Sequence, residues 1–378
     1  MKNKRLKKKR LAVLAVSFIP LAAIGLLSGA LAARAAGSIW TALACVGAGW
    51  YLGFILQIIV HELGHMVGGL ISGYRFCSFR VGSVMFIKHE KGIRVARFSM
   101  AGTGGQCLMS PPDMEDGDIP TTLYNLSGVI ANLLFSALCT AAFVPMRGSL
   151  WGVLFAIIGM FGLYFAVTNG IPMNTGVLDN DGRNALVMRR DKAARRAFWL
   201  QLKVNELSTR GVRIKDMPAE WFVLPSDDEM RNPMPAAVGV LCCARLMDEL
   251  RLEEADALMR RLLHMKTGIN AIHRSGLICD RIYIELIGQN RPLVVKRMLT
   301  ANQLKLMKMM KSQPSVLRTE YALKLMYDND LAGAANILET FEKTARSYPQ
   351  PQEITAEREL IAMADRRKEE GLTQDTFM

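Results

Sequence analysis

Two histidines and a glutamate interrupt a long uncharged stretch in the run His61-Glu62-Leu63-Gly64-His65. On a helix, residues four apart project from one face about a turn from each other, so both imidazoles can reach a single ion. Glu62 is offset from that pair by one position and is placed to act on water rather than on the metal. Zinc suits such ligands and lowers the pKa of a water it polarises to about 7. Glu62 could then take the proton and later deliver it to a leaving amine. Only five histidines occur in the 378 residues, which makes a chance match improbable. Ionisable groups within an apolar helix are also costly and usually functional. The bland alternative is a pair of hydrogen-bonded core histidines with a paired glutamate.

A catalytic zinc needs a third protein ligand and keeps a fourth position open. His89, His264 and His273 are poorly placed, because none follows an apolar helix that could pack against the one carrying His61. The carboxylates Asp179 and Asp181, in Leu178-Asp179-Asn180-Asp181-Gly182, follow such a helix, and either could serve. The seven cysteines form no C-x-x-C pair and suggest neither a disulfide framework nor a cysteine zinc site.

The elements that must position these groups are membrane spans. Hydrophobic residues make up 51% of the chain and charged residues 21%, with the long uncharged stretches before residue 180 and the dense charge after it. Four stretches reach the roughly 20 residues needed to cross a bilayer core: Leu11–Ala33, one within 35–60, one near 121–146, and one from 148 to about 168. Seven of the first ten residues are Lys or Arg, and a second basic group, including Arg183, Arg189, Arg190 and Lys192, follows the last span. Basic residues flanking spans mark cytoplasmic segments, so both termini are expected inside. The formal charge of +13 is therefore attributed to topology and lipid headgroups rather than to nucleic acid. The first apolar run is longer than a signal-peptide core, which predicts an uncleaved helix despite Ala33-Arg34-Ala35.

Between spans two and three, Val81–Glu90 and Ile93–Ser99 are rich in β-branched and aromatic residues around Lys91-Gly92, which predicts a β-hairpin. Gly102-Thr103-Gly104-Gly105 fits no nucleotide-binding pattern and reads as a flexible surface loop. The sequence thus predicts a mainly α fold. Residues 1–34 give a basic start and first span, 35–190 a membrane core with the insertion 74–120, and 191–378 a helical cytoplasmic domain. In that domain 249–255, 289–295 and 329–334 recur about 40 residues apart. The pattern resembles a degenerate tetratricopeptide-type array, whose usual period is ~34, with an irregular helical bundle as the alternative.

Across about residues 45–190 the chain resembles the site-2 protease family of intramembrane metalloproteases. The resemblance is carried by His61-Glu62-Leu63-Gly64-His65, by Gly128-Val129-Ile130-Ala131-Asn132, and by Asn169-Gly170-Ile171-Pro172 leading to Asp181-Gly182. It implies Zn2+ held by His61, His65 and Asp181, with Glu62 catalytic. Asn132 would contact the substrate backbone or the developing oxyanion, or else simply bond another helix. Eight residues, Met173–Asn180, separate Pro172 from Asp181, more than is usual in the family, so Asp179 is kept as the alternative ligand.

The resemblance also implies an endopeptidase of a bacterial cell membrane, cleaving a transmembrane or membrane-proximal peptide segment near the cytoplasmic face. Such a substrate must be unwound, because a helix hides its amides behind hydrogen bonds, and the hairpin could hold it by strand addition. The helical tail could bind a protein partner. The competing reading is a catalytically silent membrane scaffold with a structural zinc site.

Overall fold

The computed structural model describes residues 2–376 apart from 90–91, 99–102 and 174–178. Helices dominate, joined by a small amount of antiparallel β-structure. Four helices are long and apolar enough to cross a membrane: α1 (Lys2–Ala35) over Val13–Ala35, α2 (Ile39–Ile71), α3 (Thr122–Phe143) and α4 (Leu150–Gly170). Leu26, Trp40, Leu138 and Trp151 on these helices are exposed, as lipid-facing side chains would be. The sequence predicts that span two ends near residue 60, where polar groups begin, yet α2 continues to Ile71. At 1.5 Å per residue it is about 50 Å long, well beyond the ~30 Å of a bilayer core. His61 and His65 therefore lie in the same unbroken helix as the apolar residues before them.

The chain divides into two units, Met1–Val81 with Gly104–Lys192, and Gly82–Thr103 with Ala193–Met378. In the first unit, α2 packs against both α3 and α4 through small residues, which let helix backbones approach closely. A Cβ on Gly64 would lie 2.5 Å from the Ser127 carbonyl oxygen of α3, and one on Gly53 would lie 2.8 Å from Phe161 of α4. Trp50 meets the Phe161 ring edge-on at 5.3 Å and donates from Nε1 to Ser28 Oγ of α1. Strands β1 (Arg75–Val81) and β4 (Gly105–Ser110) pair antiparallel in the same unit, with Phe79 opposite Cys107 and Val81 opposite Gly105.

The second unit contains the hairpin of β2 (Val84–His89) and β3 (Gly92–Arg97), in register with Val84 opposite Arg97 and His89 opposite Gly92. The strands are slightly shorter than predicted, and Glu90, Lys91 and Ser99 lie outside the described residues. Arg94 donates to the Pro349 carbonyl at 3.0 Å, and Phe98 meets Tyr348 edge-on.

The rest of this unit is helical: α6 (Lys192–Thr209), α7 (Pro233–Asp248), α8 (Leu252–His264), α9 (Ala271–Ile287), α10 (Pro292–Met298), α11 (Ala301–Met309), α12 (Pro314–Ala322), α13 (Leu331–Ala345) and α14 (Pro351–Thr376). The short α5 (Asp181–Arg190) precedes them in the first unit. The three similar segments of the sequence fall at the junctions α7–α8, α9–α10 and α12–α13. Each junction contains one left-handed non-glycine residue, Leu250, Asn290 or Asn329. The recurrence is thus a repeated helix–turn–helix geometry at intervals of about 40 residues.

Candidate metal centre

The centre is built on α2. Gln57, His61 and His65 follow each other at intervals of four and share one face. The third partner comes from the start of α5. There the Asn180 side chain accepts from the Arg183 amide at 3.1 Å and so caps the helix. It also donates to the Thr168 and Ile171 carbonyls, which ties the cap to the end of α4. Gly182 permits this junction, since a Cβ there would lie 2.1 Å from the Gly170 carbonyl oxygen. Asp181 is thereby held in the first turn of α5 with its carboxylate toward α2.

The result is a compact triad. Asp181 Oδ2 lies 3.0 Å from His61 Nε2 and 3.5 Å from His65 Nε2, and the two Nε2 atoms are 3.1 Å apart. Both histidines are buried. Asp179, the other carboxylate considered, pairs instead with Arg183 Nε at 3.0 Å and is not part of the triad. Residues Asn174, Thr175 and Gly176, which the sequence suggests form a turn, lie outside the described residues. His89, His264 and His273 all belong to the second unit.

The outer nitrogens of the two imidazoles are also held. His61 Nδ1 lies 2.7 Å from Asn132 Oδ1, and His65 Nδ1 lies 2.7 Å from the Tyr124 carbonyl oxygen. Both partners are acceptors, since the Asn132 amide nitrogen is already donating to Gln57 O and Gln57 Oε1. Each Nδ1 therefore carries a proton, which makes Nε2 the atom that a neutral imidazole would offer as a ligand to the triad. Three such atoms at 3.0–3.5 Å from one another need a shared proton or a metal cation among them. Ligand atoms at ~2.05 Å from a tetrahedral zinc would be about 3.3 Å apart, so the spacing fits that ion. A carboxylate must be ionised to ligate a metal, and Asp181 is the one that faces both imidazoles.

Asn132 is completely buried. Both of its amide hydrogens are used on Gln57, and its oxygen is used on His61. Gly128, one turn earlier on α3, faces the triad, and a Cβ there would lie 2.6 Å from His65 Nε2. The G-x-x-x-N spacing thus gives α3 one residue that makes room for the centre and another that orients His61.

Glu62 is buried and borders the triad from the next position on α2. The Cys107 amide of β4 donates to its carboxylate. Strand β4 passes so close that a Cβ on Gly105 would lie 2.6 Å from Glu62 Oε1, and one on Gly104 2.8 Å from Ile58. The sequence predicts a flexible loop for this glycine-rich stretch, but its described part leads into a strand beside Glu62. Neither Tyr124 nor Gln57 was singled out from sequence. Gln57 carried a readable signal, as a polar residue one turn before His61 in an apolar helix. The Tyr124 carbonyl carried none.

Comparison with protein-family models, curated proteins and solved structures finds no match to this chain.

Proposed function

We propose that the chain is an intramembrane zinc metalloendopeptidase of the site-2 protease type, hydrolysing peptide bonds in transmembrane or membrane-proximal segments. The observation that carries this reading is the convergence of His61 Nε2, His65 Nε2 and Asp181 Oδ2, all lone pairs, beside the unligated carboxylate of Glu62. A zinc ion bound there would supply a Lewis acid and lower the pKa of a water to about 7. The triad offers three protein ligands among the described residues, the number typical of catalytic rather than structural zinc sites. Four membrane-length helices in the same chain favour a substrate presented from within the bilayer.

In this reading Glu62 is the general base. It removes a proton from the attacking water and returns it to the leaving amine, with the Cys107 amide fixing its carboxylate. Asn132 and the Tyr124 carbonyl are positioning groups that set the tautomer and rotation of the imidazoles. Basic residues at both ends of the membrane region favour cytoplasmic termini and a site toward that face.

The test compares wild type with Glu62→Gln in proteoliposomes carrying a library of single-span membrane peptides. Zinc is read by elemental analysis and cleavage by mass spectrometry. The expected result is equal zinc in both proteins and cleavage by wild type alone. Equal cleavage by both, or none by wild type, would overturn the reading in favour of a scaffold with a structural ion.

A further inference from the structure

The helical unit contains a partly open cavity of about 390 Å³ between α6, α7, α9, α12 and α14, at the low end of the range for small-ligand sites. Its walls differ. Val204, Val240, Leu241, Ala244 and Met247 make one side apolar, while Asp248, Asp280, Glu353 and Glu357 place four carboxylates on the cavity lining. Two guanidiniums also line it, and both are already committed. Arg318 is 1% exposed and donates from Nε to Glu357 at 2.9 Å and from Nη2 to Asp280 at 2.6 Å, with its plane over the Tyr283 ring. Arg213 is shared between Asp248 and Glu359, at 2.6 and 2.5 Å. An anionic ligand would find no guanidinium free of a carboxylate here.

The acceptors are in excess. Glu353 takes a 3.2 Å hydrogen bond from the Tyr348 hydroxyl and has no basic partner among the described residues. Burial and the Glu357 carboxylate push its carboxyl up to about 7. Its neighbour Gln352, 8% exposed, has an Oε1 atom with no hydrogen-bond partner. A buried carbonyl oxygen left unpaired is costly, so its place on the cavity lining points to a donor supplied from outside the chain.

We propose that this cavity binds an aliphatic cation, an alkylammonium or alkylguanidinium group of the kind a Lys or Arg side chain presents. The apolar wall covers the methylene stem, and the Gln352 carbonyl with the Glu353 carboxylate takes the charged head. A free polyamine and a basic peptide segment offer the same chemistry. The site is independent of the metal centre and stands whether or not that centre is catalytic.

The experiment is isothermal titration of the full-length chain in detergent micelles at pH 8. Spermidine and arginine amide serve as free cations, an acetylated Lys/Arg hexapeptide as the peptide source, and glutamate as the anionic control. The expected result is one cation bound per chain, weakened at least tenfold in Glu353→Gln and in Gln352→Leu, with no glutamate binding. Thermal melts check that both variants stay folded. A hexapeptide that binds more tightly than arginine amide identifies a peptide source, and the reverse order a free amine. Absence of cation binding, equal binding by both variants, or equal binding of glutamate would overturn the proposal.

Discussion

Asn132 Oδ1 lies 2.7 Å from His61 Nδ1, and this contact between α3 and α2 determines which imidazole nitrogen faces Asp181. Gln57 makes the arrangement directional. By taking both amide hydrogens of Asn132 it leaves only the oxygen for His61, and Gln57 is itself tied to α4 through the Ile158 carbonyl. Three membrane-length helices are thus linked through one hydrogen-bonded chain that ends on the outer nitrogen of His61.

Asn132→Leu removes that acceptor with little change in volume. Zinc affinity is expected to fall about 10–100-fold, as for other groups that orient metal ligands, with the fold retained. Competition with a chromophoric chelator measures it, and unchanged affinity would leave Asn132 with a purely interhelical role.

Gly128→Ala and Gly64→Ala should fail in different ways. The first places a methyl 2.6 Å from His65 Nε2 and 2.8 Å from His61 Cε1, so zinc binding is expected to be lost first. The second drives α2 from α3 by crowding the Ser127 carbonyl at 2.5 Å, which is expected to cost about 1–3 kcal/mol of stability. Zinc content and thermal unfolding, measured on both variants, separate the two effects.

Asp181→Asn is expected to abolish stoichiometric zinc, whereas Asp179→Asn, which loses the Arg183 pair and lies outside the triad, should keep it. Gly182→Ala should behave like Asp181→Asn, because a methyl 2.1 Å from the Gly170 carbonyl must displace the first turn of α5. Elemental analysis of the three purified variants decides the matter.

The stability of the helical unit should depend on pH through Glu353. Its carboxyl rises from an ordinary value of 4.5 to about 7 on folding, through burial and then through Glu357, with Asp280 adding to the same direction. A carboxyl raised in the folded state takes up protons on folding, so stability falls as pH rises from 4.5 to about 7 and is then level. The loss between pH 5 and pH 8 is expected to be on the order of 2–3 kcal/mol and to shrink in Glu353→Gln. Calorimetry of the detergent-solubilised chain at the two pH values reads it, and identical losses in both proteins would remove Glu353 as the source.

Features with a local cause follow from the order of residues along the chain. His61 and His65 share a face because four residues make about one helical turn, and four apolar stretches become membrane-length helices because their length and composition suffice. The period of about 40 residues in the second unit was likewise visible, since the turns at Leu250, Asn290 and Asn329 recur with the sequence.

Other features were decided by contacts between distant segments. Gly102-Thr103-Gly104-Gly105 reads as a loop from its composition; pairing with β1 makes residues 105–110 a strand, and Gly104 and Gly105 admit it beside Ile58 and Glu62. Asp179 and Asp181 are two residues apart and chemically alike. What separates them is the Asn180 cap on the end of α4, which turns Asp181 to the histidines and leaves Asp179 to Arg183. Spacing along a helix fixes which side chains share a face, but only tertiary packing brings the third acceptor to within 3.5 Å of the other two.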